Sequence, residues 1–186
     1  HGISPPFFII SNQFWIHKDH ATAFAAFRIV AENDPRIALV CTGSTVDSRS
    51  PEYFPGLIVQ LESWGLKQRV HILGLIPKRD QIELMKHACA VIQPTLFEGG
   101  PGGGAVYNAV SLDVPAIVSD IPVNREVEET TIDFFPAGDA TILAAKMKAR
   151  LLDPHARAPA SYLIAMGQRR REACGDVLWG AINWVV

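Results

Sequence analysis

A carboxylate stands beside a run of glycines in the middle of the chain. Glu98 is followed by five glycines in six positions, namely Gly99, Gly100, Gly102, Gly103 and Gly104. Because glycine has no Cβ, it adopts positive φ and lets backbone N–H groups approach a ligand closely. The helix predicted to begin near Ala105 adds the positive end of its dipole, which attracts anions. The segment therefore indicates a site for a phosphorylated ligand.

The composition is that of one globular domain of ordinary size. The chain has 186 residues, of which 48% are apolar, and a formal net charge of −2. This nearly neutral balance argues against binding to nucleic acid or to anionic lipid. No apolar run approaches membrane-spanning length, and residues 1–4 resemble a tag or linker remnant, not a signal peptide. The scattered cysteines favour buried free thiols, so we expect a cytoplasmic protein.

Short apolar runs alternate with helical patterns along the chain, and this alternation predicts an α/β fold. Six strands are predicted at Phe7 to Ser11, Ile37 to Thr42, Val70 to Leu73, Ala90 to Gln93, Ala116 to Ser119 and Thr131 to Phe135. Helices are predicted at Asp19 to Glu32, Pro51 to Trp64, Arg79 to His87, Ala105 to Leu112 and Asp139 to Leu152. Right-handed crossovers between parallel strands then give a Rossmann-like, doubly wound sheet with helices on both faces. We assign residues 5–158 to this domain and 159–186 to C-terminal helices.

Such a sheet binds ligands at the carboxyl ends of its strands, where the strand order reverses. With the order 3-2-1-4-5-6, the loops after the first and fourth strands flank that crevice, and the first of them carries Gln13 and Lys18. A cation at a helix start faces the positive end of the dipole, which is unfavourable unless an anion is bound. We interpret Lys18 as a phosphate contact. The alternative is a solvated lysine beside an N-cap formed by Asp19.

Two other patterns are weighed against this interpretation. The segment Gly100 to Ala105 satisfies the dinucleotide fingerprint G-x-G-x-x-G/A, and Asp120 follows it after a strand. However, these glycines lie well beyond the predicted strand end at Gln93 and belong to the fourth βα unit instead of the first, which disfavours an NAD site. His17 and His20 could ligate a metal, but spacing supplies no third ligand, so a polar helix start is favoured and no metal is expected.

Four segments carry a family resemblance across nearly the whole chain. They are Glu98-Gly99-Gly100 continued by Ala105 to Pro122, Asn12 to Lys18, Val70 to Pro77, and Arg169 to Trp179. In this order and spacing they resemble the carboxyl-terminal, donor-binding half of retaining GT-B glycosyltransferases of glycosyltransferase family four. The resemblance implies one half of a GT-B fold.

The resemblance also implies roles for matching residues. Lys18 would contact the donor pyrophosphate, the amides of Gly99 to Gly104 and of Ala105 would contact the sugar or phosphates, and Glu98 would hold hydroxyls of the transferred sugar. Physical chemistry limits the last role, because a carboxylate repels a pyrophosphate but forms strong hydrogen bonds with neutral hydroxyls. Lys18 and Glu98 are therefore the expected catalytic residues.

The chain departs from the family pattern at two positions. Asn108 stands where the family has a second glutamate for the ribose hydroxyls, and Gln13 stands where an arginine for the pyrophosphate is common. The glycine loop is also two residues longer than usual. Whether Asn108 and Gln13 bind the donor or are ordinary polar residues stays open.

The implied activity is transfer of a sugar from a nucleotide-diphosphate donor with retention of configuration. Neither a protein-held metal nor another cofactor is expected, and the chain has no Asp-x-Asp motif. The resemblance further implies an amino-terminal, acceptor-binding domain outside these residues, so we expect donor binding with little turnover. The C-terminal helices would pack on this domain or towards that half.

The setting implied by the family is polysaccharide or glycolipid synthesis at the inner face of the membrane, with peripheral association through the missing half. Two alternatives remain open. One is a sugar-nucleotide epimerase-like GT-B half, and the other is a nucleotide-sugar binding module without catalysis.

Overall fold

Six parallel strands form a single sheet at the centre of the molecule. A computed structural model of the protein describes residues 2–4, 6–32, 34–100, 103–127 and 129–185, without the side chain of residue 185. The strands are β1 (Phe7–Ser11), β2 (Ala38–Thr42), β3 (Val70–Gly74), β4 (Val91–Gln93), β5 (Ala116–Ser119) and β6 (Ile132–Phe135). Their order is β3-β2-β1-β4-β5-β6. The predicted α/β fold and the predicted strand order are both confirmed.

Helices connect successive strands on both faces of the sheet. They are α1 (His20–Ala31), α2 (Tyr53–Ser63), α3 (Lys78–His87), α4 (Gly103–Ser111), α5 (Ala140–Leu152) and α6 (Ala160–Val185). Most predicted boundaries differ from these by one or two residues. The largest functional difference is at α4, which begins at Gly103 instead of Ala105, so that two of the loop glycines belong to the first turn of the helix.

Alternate residues of the strands divide the core into two layers. Phe8 and Ile10 of β1 face a cluster that includes Phe24 and Phe27 of α1 and Leu143 of α5. Phe7 and Ile9 face the opposite cluster, which includes Met85 of α3 and Val106 of α4. Successive side chains of a strand point to opposite faces, so strands buried on both faces are apolar throughout. This explains why the continuous apolar runs predict strands so well.

The loops after β1 and β2 pass unusually close to each other. Gly43 follows β2 with a φ of +131°, and a Cβ built there would lie 2.2 Å from the carbonyl oxygen of Asn12. The backbone N–H of Phe14 also donates to the carbonyl of Ser44 at 2.8 Å. Only glycine fits this contact, which fixes the first residues of the loop after β1.

A single helix, α6, occupies the region in which more than one helix was expected. Its second half exposes large apolar side chains, including Trp179 at 67% and Trp184 at 89%. Arg170 forms an ion pair with Glu129 at 2.5 Å, which ties the middle of α6 to the domain. Among the helices described, none is long and apolar enough to cross a membrane. The division of the chain at residues 4 and 158 stays a prediction.

The close approach at Gly43 gives a stability prediction. We expect Gly43→Ala to lower the free energy of unfolding by more than about 2 kcal/mol, because the added methyl group must displace a backbone carbonyl. Gly65 is a matched control, since its φ is +66° but no atom lies within 4 Å of the added Cβ. Gly65→Ala should cost about 1 kcal/mol from backbone strain alone. Urea denaturation measures both, and equal losses would contradict the close contact.

Candidate functional site

Two loops meet at the carboxyl ends of β1 and β4, where the strand order reverses. The loop after β1 ends in a short 3-10 helix, Ile16–Lys18. The carbonyl oxygen of His17 accepts from the backbone N–H of Leu96 at 2.8 Å and from Oγ1 of Thr95 at 3.0 Å. These bonds hold the first loop against the loop after β4, as the predicted topology requires.

Lys18 and Glu98 form an ion pair between the two loops. The Nζ atom of Lys18 lies 2.5 Å from Oε1 of Glu98, and each side chain is only 9% exposed. A buried charge that loses its partner destabilises a protein strongly, so these two residues depend on each other. The structure thus brings together the two residues that the sequence predicted to be catalytic.

Glu98 accepts a second hydrogen bond from a buried amide. The Nε2 atom of Gln93 donates to the same Oε1 at 2.6 Å, and Nδ2 of Asn12 donates to Oε1 of Gln93 at 2.7 Å. Gln93 is fully buried and Asn12 nearly so. The three side chains form a continuous network from the end of β1 to the glutamate, because buried polar groups need partners.

A cleft of about 240 Å³ opens beside this network. It is lined by Ser11, Asn12, Gln13, Lys18, Lys78, Gln81, Glu98, Gly103, Gly104, Ala105 and Asn108. The first turn of α4 therefore borders the cleft, and the N–H groups at a helix start have no acceptor within their own helix. These amides, with the two lysines, give the cleft the donors and the positive charge that suit an anion.

The start of α1, in contrast, already has acceptors. The carboxylate of Asp19 accepts from the N–H of Thr22 at 3.2 Å, and the hydroxyl of Tyr53 accepts from the N–H of Ala21 at 3.3 Å. Burial raises the pKa of Asp19. Of the two helices that begin at this edge, α4 has the more accessible amides.

Most of the predicted donor-binding residues line the cleft. These are Gln13, Lys18, Glu98, Gly103, Gly104, Ala105 and Asn108. Gly99 and Gly100 lie in the described loop but are not among the lining residues, and Gly102 lies outside the described residues. Gly103 has a φ of +60°, and a Cβ there would lie 3.3 Å from both Gln93 Nε2 and Glu98 Oε1. Glycine at this position therefore makes room for the network.

The sequence analysis missed several lining residues. Ser11, Asn12, Lys78 and Gln81 were not predicted, nor was Gln93, which supports Glu98 from below. A usable signal existed for the two amides, because each is a polar residue at the carboxyl end of an apolar strand. That is the position at which parallel sheets bind ligands.

The alternative sites find less support in the structure. Gly103 and Gly104 follow β4, not β1, and the carboxylate of Asp120 is paired with Arg125 at 2.5 Å. No group of three or more potential metal ligands occurs within the described part of the chain. His20 is fully buried and its ring stacks on Phe14 at 4.0 Å between centroids, as a core residue does.

A family model described as glycosyl transferases group 1 matches residues 2–165. The chain belongs to this family. All the lining residues of the cleft fall within the match, so this group 1 glycosyl transferase domain includes the whole candidate site. A search of curated proteins finds no matching relative.

Solved structures share the fold at low sequence identity. The Anabaena protein HepE, in complex with UDP and glucose, has a TM-score of 0.71 and 19% identity, covering 82% of this chain and 40% of that chain. The C-terminal domain of LpcC, a glycosyl transferase group 1 family protein from Francisella tularensis, has a TM-score of 0.69 and 15% identity, covering 80% and 76%.

A third structure matches over more of this chain. Sucrose-phosphate synthase from Thermosynechococcus elongatus has a TM-score of 0.67 and 20% identity, covering 95% of this chain and 47% of that chain. The chain thus spans less than half the length of HepE and of this synthase. Its fold is that of one half of a GT-B glycosyltransferase.

The buried histidine beside the cleft gives a pH prediction. Neither ring nitrogen of His20 has a hydrogen-bond partner among the described residues, and burial lowers its pKa to about 3. The unfolded chain protonates this histidine below pH about 6.5, so its contribution to stability is complete above that pH and is lost as the pH falls towards 3.

We therefore expect His20 to cost the wild-type chain about 2 kcal/mol of unfolding free energy between pH 7.5 and 5.0. His20→Phe keeps the ring stack but cannot be protonated, so its stability should fall less over the same interval. Urea denaturation at both pH values gives the difference. An identical pH dependence in the two proteins would refute a buried, neutral His20.

Proposed function

We propose that the chain is the donor-binding half of a retaining glycosyltransferase, which binds a nucleotide-diphosphate sugar in the cleft between the loops after β1 and β4. The observation that carries the proposal is the buried contact between Lys18 and Glu98 beside the start of α4. Family membership and the likeness to HepE, whose structures contain UDP and UDP-glucose, support a donor of this chemical class.

The diphosphate is assigned to the cationic side of the cleft. Lys18 and Lys78 supply positive charge, and Gly103 to Ala105 supply backbone N–H groups at the start of α4. Preorganised donors of this kind stabilise the negative charge that develops on a departing diphosphate. Lys18 is the catalytic cation in this proposal, and Gln13 at the rim of the cleft adds a neutral donor.

The transferred sugar is assigned to Glu98. Both hydrogen bonds that its carboxylate accepts from described side chains are on Oε1, which leaves Oε2 to accept from a sugar hydroxyl. A charged acceptor makes stronger hydrogen bonds than a neutral one, so Glu98 favours hydroxyls over phosphates. Asn108, on the next turn of α4, is placed to contact the ribose through its amide.

The chemistry follows from these assignments. The domain holds the donor, and Lys18 with the helix start draws electron density towards the leaving diphosphate as the sugar is transferred, which we propose proceeds with retention and without a protein-held metal. We propose that the sugar is a hexose and that the acceptor site lies on an amino-terminal domain outside this chain. The chain alone would then bind donor with little turnover.

We place this activity in polysaccharide or glycolipid synthesis on the cytoplasmic side of a membrane. The setting is supported by family membership alone. The second candidate function is a nucleotide-sugar binding module without catalysis. It is favoured by one observation, the uncharged Asn108 at the position where the family resemblance expects a glutamate.

Removing each charged residue should separate phosphate binding from sugar binding. With the best ligand among UDP, GDP and ADP, we expect Lys18→Ala to weaken binding of the bare diphosphate by about 10- to 100-fold, because it removes a charged donor and leaves Glu98 facing the phosphates. Glu98→Ala should leave diphosphate binding within about threefold and weaken the matching nucleotide-glucose by about tenfold. Isothermal titration calorimetry measures both.

Two controls sharpen the test. The double variant Lys18→Met/Glu98→Gln removes both charges, so any excess loss in Lys18→Ala over the double variant measures repulsion by Glu98. Arg36→Ala removes an exposed cation that lines a different pocket, and it should bind as the wild type does. Equal losses of bare diphosphate in Lys18→Ala and Glu98→Ala would rule out the assignment of the two ends.

A further inference from the structure

Two fully or nearly buried amides remain without a role in the proposed function. Asn12 ends the first turn after β1 and is 8% exposed, and Gln93 is the last residue of β4 and is 0% exposed. Buried amides cost free energy unless all their groups are paired. Apolar side chains occupy most neighbouring strand positions, so amides at these two places call for a reason beyond core packing.

The hydrogen bonds of the two amides run in one direction. Nδ2 of Asn12 donates to Oε1 of Gln93 at 2.7 Å, so the carbonyl side of the Gln93 amide is occupied. The NH2 side must then face Glu98, where Nε2 lies 2.6 Å from Oε1. Asn12 thus determines which end of Gln93 the glutamate meets.

Glu98 is held at one oxygen by two donors on different elements. Lys18 approaches Oε1 from the loop after β1, and Gln93 approaches it from the end of β4. Gly103 leaves space above them, since a Cβ there would come within 3.3 Å of both the amide and the carboxylate. With Oε1 fixed from two sides, the carboxylate has one remaining oxygen with which to bind a ligand.

We propose that Asn12 and Gln93 are positioning residues for Glu98, which hold Oε1 beside Lys18 and turn Oε2 towards the cleft, and so determine how well the hydroxyls of the donor sugar are recognised. The inference rests on the proposed function, in which Glu98 binds the sugar. It adds two residues that neither contact the reacting atoms nor carry charge.

The test compares binding of a nucleotide sugar with binding of its diphosphate. We expect Gln93→Met, which keeps the length of the side chain without the donor, to weaken UDP-glucose by about tenfold while UDP changes by less than about threefold. Gln93→Glu places a second carboxylate against Glu98 and should weaken UDP-glucose further. Asn12→Leu frees the Gln93 amide to rotate and should have an intermediate effect. If UDP is not the preferred diphosphate, the best-binding pair replaces it.

A double-mutant cycle separates positioning from general damage. In the Glu98→Ala background, Gln93→Met should cause no further loss of UDP-glucose binding, because its effect acts through Glu98. Additive losses in the cycle, or equal losses for UDP and UDP-glucose in Gln93→Met, would overturn the proposal. Gln60→Met, on helix α2 away from the cleft, controls for the substitution itself, and thermal unfolding confirms that each variant is folded.

Failure of the proposed function would be recognised separately. If the wild-type chain binds none of the diphosphates or nucleotide sugars, that function is wrong, and crystal structures of the ligand-free wild type and Gln93→Met then decide on positioning. A carboxylate of Glu98 that leaves its wild-type place beside Lys18 in the variant would support the role of Gln93. A carboxylate that keeps the same place in both would overturn it.

Discussion

A buried lysine–glutamate pair connects two loops that leave the sheet in opposite directions. Helices after β1 and β4 cover opposite faces, so the loops diverge at the point where the strand order reverses, and Lys18 and Glu98 bridge the gap. Burying two charges is costly, and the cost is offset only with good geometry and further hydrogen bonds. The amides of Gln93 and Asn12 supply those bonds, and the close contact at Gly43 holds the loop that carries Lys18.

This arrangement gives the cleft two unlike sides. Without a ligand the opposite charges satisfy each other, so the cleft as a whole is close to neutral. A ligand that is anionic at one end and hydroxylated at the other would engage the lysine and the glutamate separately, whereas a simple phosphate would meet the repulsion of Glu98. The geometry therefore favours a diphospho-sugar over either of its parts, in keeping with membership of the group 1 glycosyl transferases.

Much of the fold could be predicted from the sequence because parallel strands buried on both faces are continuous apolar runs. Phe7 to Ser11 and Ala116 to Ser119 were predicted with the bounds that the structure has. The strand order followed from the βαβ alternation and placed Lys18 and Glu98 at one edge. The start of α4 was misplaced, because glycine is a poor helix former and gave no signal that Gly103 belongs to the helix.

The remaining parts of the site depend on tertiary contacts that no local pattern encodes. Gly43 is one glycine among many until the loop after β1 is seen to lie against it. Gln93 ends an apolar strand and reads as a boundary residue, yet it is fully buried because α4 covers it. The single, largely exposed α6 was also not predicted, since its apolar pattern suggested a packed helix.

The most direct test of a donor site at this crevice is an NMR titration of the 15N-labelled chain with UDP, GDP and ADP. We expect the largest chemical-shift changes at the backbone amides of Lys18 and of Gly103 to Ala105, for whichever diphosphate binds. Changes concentrated at the amino ends of the strands, around Arg36 and Arg157, would contradict the account.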